Sequence, residues 1–245
     1  MPEIEVIRKI AEETLCSGPS AGAEGRWLWD RTSRILRNVE YICLLPELTA
    51  TGVSIERFCL FSAACFADSG LVQIAATRGI SVVCAAADVD IAERLELSAR
   101  TAAGRLEGVV SAAKIEKISR IIAESGSRFT QMSEAMTLAD ARNLDDIGLV
   151  GLFNGLGPSA GGVLEALEGW QRKVDYGYWQ ARLRENFRFA SVGKLAQQRF
   201  SQAQLFMDRL RAEHASADLE QMVRQSAQKP KHGYSNKDIT VSSER

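Results

Sequence analysis

The chain has 245 residues, 46% of them hydrophobic and 25% charged, enough for one sizeable core and too short for more than two ordinary domains. Thirty basic side chains against thirty-one acidic ones leave a formal charge of -1, so no global field draws the protein toward nucleic acid or anionic lipid. The opening MPEIEVIRKIAEETL is charged from Glu3 onward, without an apolar leader region, and no stretch approaches about eighteen uninterrupted apolar residues. A cytoplasmic protein is expected. The five cysteines are odd in number and lack CxxC spacing, which suits buried free thiols better than disulfides or a metal.

Helical periodicity dominates from the start. Val6, Ile7, Ile10 and Ala11 make the first stripe, and Pro2 suits a first helical turn. After the turn-rich SGPSAGAEG, a second helix places Trp27, Ile35, Leu36, Val39 and Ile42 at helical spacing until Pro46. Ser54 is the candidate cap of a third, apolar on nearly every side and hence deep in the core, with Gly70 ending it. Residues 71–87 are ambiguous, because Ile80, Val82 and Val83 favour strand while the alanines favour helix; a short hairpin or an apolar loop both fit. Helices resume at ERLELSARTAAGRLEG, at AAKIEKISRIIAES behind Ser111, and across MSEAMTLADARNLDDIGLVGLF. Further ones follow at VLEALEGWQRKV, DYGYWQARL and VGKLAQQRFSQAQLFMDRLRAEH. The reading is all-α: an N-terminal helix and linker over 1–24, a single helical domain over 25–227, and a disordered polar tail over 228–245.

Three passages carry a resemblance. LWDRTSRILRNVEYI, AACFADSG and LADARNLDDIGLVGL resemble, in order and spacing, the motifs of HD-domain metal-dependent phosphohydrolases. The segment from Tyr178 to Glu213 is similar to the C-terminal helices of the bacterial YedJ-like HD subfamily, so the likeness spans about residues 25–215. It implies an HD-domain-like helical bundle in which the metal-site positions fall on Arg31, Ala67, Asp68, Arg94 and Asp140. Histidine is expected at the first, second and fourth of these. Here they are Arg31, Ala67 and Arg94, and the chain's two histidines, His214 and His232, lie beyond the motifs.

The substitutions change the chemistry. Imidazoles give such a site its affinity for transition metals, and a metal-bound water then attacks a phosphoester. Asp68 and Asp140 alone are carboxylates suited at most to a well-hydrated Mg2+. A guanidinium about 4 Å away repels a dication by several kcal/mol at an effective dielectric of about 20. A salt-bridge cluster joining Arg31 and Arg94 to Asp68 and Asp140 is therefore the expected replacement. Asp145, about 140° round the helix from Asp140, is expected to bond structural neighbours instead. With no histidine before position 214, Ser-His-Asp and Cys-His nucleophile pairs are unavailable.

The expectation is a catalytically degenerate HD-domain protein that uses no cofactor and binds a protein partner or a small anionic ligand near Arg31 and Arg94. Two alternatives stay open. One is a weak Mg2+-dependent phosphohydrolase of nucleotides or phosphoesters using Asp68 and Asp140; the other is a structural subunit, for example a homo-oligomer. Neither nucleic acid nor membrane is an expected partner.

Overall fold

The computed structural model describes residues 2–16, 22–50, 52, 54–156 and 162–228. Its elements are all helical among these residues, and they fall into two compact units, Met1–Met207 and Asp208–Arg245. The boundary lies inside a long helix rather than in a linker. The expected tail over 228–245 lies, beyond Gln228, outside the described residues.

In the first unit, α1 (Pro2–Leu15) buries Ile7, Ala11 and Leu15, a stripe at four-residue spacing, while Val6 faces solvent. Helix α2 (Ala23–Ile42) buries Leu28, Ile35, Leu36, Val39 and Ile42 along one face. Arg31 and Thr32 lie on that same face, so α2 carries a charge into the core. A short α3 (Pro46–Thr49) starts on Pro46, where proline suits a first helical turn.

Helix α4 (Arg57–Phe66) is buried on nearly every side, as its composition requires. It begins after Glu56 rather than at Ser54, and it ends at Phe66. Gly70 does not end it but opens the next helix, α5 (Gly70–Arg78). The segment Arg57–Arg78 is apolar enough to cross a bilayer by composition, yet 83% of its most apolar window is buried inside the fold, as suits a core helix.

Residues 71–87, expected as a hairpin or loop, are two helices: α5 and α6 (Val82–Asp88). Two local signals outweigh the β-branched residues. Gly79 closes α5 in the left-handed conformation (φ 63°), which only glycine adopts without strain. Ser81 then caps α6, its hydroxyl accepting from the Cys84 N–H at 3.0 Å. Leu71, Ile74, Ala75, Val82 and Ala85 pack with Leu15 and Leu28, so the pair buries its apolar face against α1 and α2.

Helix α7 (Ile91–Leu106) follows, capped by the Asp90 carboxylate on the Ala92 N–H, and packs on α8 (Ala112–Glu124). Ser111 precedes α8 in extended conformation without a side-chain cap. The stretch read as one helix from Met132 to Phe153 is two: α9 (Ser133–Asp145) and α10 (Leu149–Leu156). Helices α11 (Gly162–Asp175) and α12 (Tyr178–Glu185) pair, with Trp170, Trp179 and Phe200 in mutual contact at centroid distances of 5.1–6.0 Å. Phe200 belongs to α13 (Ala190–His214).

The second unit holds the end of α13 and a further amphipathic helix, α14 (Ala217–Gln228), which the sequence reading placed in the undivided C-terminal part of the domain. Leu219, Met222 and Val223 on it are exposed.

Candidate functional site: a buried arginine-aspartate cluster beside a cationic cavity

The geometry starts from a small-residue contact. A Cβ on Gly70 would lie 2.5 Å from the Arg94 carbonyl oxygen and 2.8 Å from the Ser98 nitrogen, so only glycine lets α5 meet the α7 backbone this closely. Ser98 makes the junction polar: its hydroxyl accepts from the Gly70 N–H at 2.9 Å and donates to the Ala67 carbonyl at 3.0 Å. The turn from Ala67 to Ser69 is thereby held against α7, and Asp68, 1% exposed, is presented to Arg94, one helical turn before Ser98.

Three further helices complete the cluster. Arg31 of α2 donates through Nε to Asp68 Oδ2 at 2.8 Å, and through Nη1 to Asp145 Oδ2 at 3.0 Å and Asp146 Oδ1 at 2.6 Å. One turn on, Arg34 forks onto Asp145 at 2.7 and 3.2 Å. From α9, Arg142 Nη2 reaches the other Asp68 oxygen at 3.2 Å. Arg182 of α12 holds Asp146 Oδ2 at 2.7 Å. Asp145 and Asp146 close α9 at its C-terminal end, where the helix dipole opposes negative charge. Their arginine partners offset that penalty.

Charge and burial together set the ionisation. Burial pushes the Asp68 carboxyl upward, but Arg31, Arg142 and Arg94 overcome it and hold it well below the ordinary carboxylate range. Asp146 is depressed likewise, with Arg31 and Arg182 as the cause. Burial draws Arg31 downward, yet three carboxylates more than compensate and it is raised. Arg142 goes the other way: burial, then repulsion from Arg94, bring it down to about 10, with Asp68 only partly offsetting them. Asp68 gains from three guanidiniums, whereas Arg142 shares that one carboxylate with two competitors.

The expected remnant positions thus separate. Arg31, Asp68 and Arg94 come together, although the Arg94 guanidinium approaches Asp68 only to 3.9 Å and makes no side-chain hydrogen bond among the described residues. Ala67 contributes its carbonyl to Ser98. Asp140, expected in the same cluster, is not part of it. It accepts the backbone N–H groups of Arg188 and Phe189 at 2.8–3.1 Å, just ahead of α13, and burial raises its carboxyl to about 6 against those donors. The reason is helical phase: Asp140 and Asp145 leave α9 on different sides, and Asp145, expected among structural neighbours, is the one that meets Arg31.

The sequence reading passed over Arg142, Asp146 and Arg182. A signal for Arg142 existed: it is a lone cation among Ala135, Leu138, Ala139, Ala141 and Leu144, and a charge on so apolar a helix must be paired.

Beside the cluster lies a cavity of about 500 Å³ between the α6–α7 junction, α9 and α12. Arg94 and Arg142 form part of its wall, with Arg128, Arg182 and Arg188. Asp146 and Glu185 are its acids. Arg31 is not on this wall. Among the described residues, the Nε atoms of Arg94, Arg142, Arg182 and Arg188 are buried without a hydrogen-bond partner.

A divalent metal does not fit the donor set around Asp68. Both carboxylate oxygens are taken by guanidiniums, Arg94 stands next to them, and no group of three or more His, Cys, Asp or Glu side chains suited to a metal occurs among the described residues. No family model, curated protein or solved structure matches the chain significantly.

Proposed function

We propose that this chain works by binding rather than by metal-dependent hydrolysis. In this reading it is an HD-like, catalytically degenerate cytoplasmic protein that accepts a small anion in the cavity beside Arg94 and Arg142. The observation that carries it is the unequal pairing within one cluster. Arg31 is bonded to three carboxylates, while Arg94 is 8% exposed, makes no side-chain hydrogen bond among the described residues, and borders a cavity. A buried cation so poorly compensated is costly, and an anion entering the cavity relieves that cost.

The Mg2+ alternative needs Asp68 and Asp140 as joint ligands, but Asp140 is engaged with Arg188 and Phe189 and, among the described residues, shares no hydrogen bond or ion pair with the cluster. Two measurements decide between the readings. The purified protein with excess Mg2+ is expected to leave nucleotides and p-nitrophenyl phosphate intact, while millimolar phosphate raises its melting temperature. Turnover that disappears in Asp68→Asn, without stabilisation by phosphate, establishes the hydrolase instead.

A further inference from the structure

The cavity wall carries more information than the sign of its ligand. Five arginines against two acids give it an excess of three positive charges, and both acids are already bonded to arginines. A monoanion leaves most of that excess in place. Arg94 and Arg142 also bring two separate guanidinium faces, each with a buried Nε lacking a partner among the described residues. A single carboxylate has two oxygens and matches one fork, whereas a phosphate ester offers three terminal oxygens to two forks at once.

Size and polarity narrow the ligand further. About 500 Å³ lies within the roughly 300–1,000 Å³ of ordinary small-molecule sites and exceeds what one phosphate fills. The remaining wall is apolar in part: Ala86, Val89 and Ile91 from the α6–α7 junction, and Ala181 from α12, with the Tyr178 ring also on the wall.

Resting on the anion-binding reading above, we propose that the cavity takes a small organic phosphomonoester. Its dianionic head lies between Arg94 and Arg142, and its apolar body against Val89, Ile91 and Ala181. Arg182 is not the head-group ligand, because it is already bonded to Asp146, Asn143 and the Tyr178 hydroxyl. It braces the wall.

The test is calorimetric titration of the whole protein with phenyl phosphate, orthophosphate and succinate. Wild type is compared with Arg94→Gln, Arg94→Lys and, as a control, Arg37→Gln, an exposed residue of α2 away from this cavity. Phenyl phosphate is expected to bind at least tenfold more tightly than either other probe, Arg94→Gln to weaken it at least tenfold, and Arg37→Gln to leave it unchanged. Arg94→Lys keeps the charge without the fork, and it carries the test if the glutamine variant does not fold; it is expected to lose affinity as well. Succinate binding as tightly as phenyl phosphate, with the same dependence on Arg94, overturns the phosphomonoester but keeps the anion site. Binding of none of the three, or equal binding in wild type and both Arg94 variants, overturns both.

Discussion

The two halves of the arginine-aspartate cluster solve the same problem of buried charge in opposite ways. Around Arg31, every carboxylate has its cation: Asp68, Asp145 and Asp146 converge on one guanidinium, with Arg34 and Arg182 adding further bonds. Around Arg94 and Arg142, two buried cations share one Asp68 oxygen, at 3.9 and 3.2 Å. The first half is finished within the chain, and its role is to hold α2, the α4–α5 turn and α9 together. The second half is left positive where the cavity begins. Buried ion pairs need complete hydrogen bonding to offset desolvation, so the incompletely compensated half is the one suited to a ligand.

This contrast is open to attack by substitution. Arg31→Met, which strips three carboxylates of their shared partner, is expected to cost about 3–5 kcal/mol in urea unfolding. Gly70→Ala forces a Cβ onto the α7 backbone and is expected to cost about 1–3 kcal/mol, loosening the Asp68–Arg94 apposition. Asp140→Ala removes the acceptor for two N–H groups ahead of α13, and about 1 kcal/mol is expected from it. Arg94→Gln is expected to change stability least, within about 0.5 kcal/mol, because the repulsion it relieves at Arg142 offsets a long ion pair. Equal losses from Arg31→Met and Arg94→Gln erase the distinction between the halves.

Acid separates the carboxylates too. Asp68 and Asp146 titrate below their unfolded values, so they stabilise the fold above about pH 4, and that stability drains as pH falls further. Asp140 behaves in reverse. With a folded value of about 6, the native state binds its proton first, so its ionisation costs stability as pH rises from about 4 to 6. Denaturant midpoints measured across that window are expected to flatten in Asp140→Asn and to keep their slope in Arg37→Gln, which touches neither carboxylate group.

The sequence made the helices legible because their stripes are regular, as at Leu28, Ile35 and Val39 of α2. It misled at residues 71–87, where Val82 and Val83 outvoted the Gly79 stop and the Ser81 cap, although both signals are local and readable. Arg31, Asp68 and Arg94 were legible through motif order. Their companions were not, because which side of α9 faces α2 is set by tertiary packing, which the pattern of a single helix does not reveal. Asp140 was assigned to the cluster for the same reason, since a motif position does not reveal that the neighbouring loop before α13 supplies N–H donors.

The central claim is that the Asp68 carboxylate is neutralised by guanidiniums and holds no metal. Its most direct test is the metal content of protein purified without chelator and dialysed against excess Mn2+. Far less than one manganese per chain is expected, unchanged in Asp68→Asn. One manganese per chain that is lost in Asp68→Asn contradicts the account.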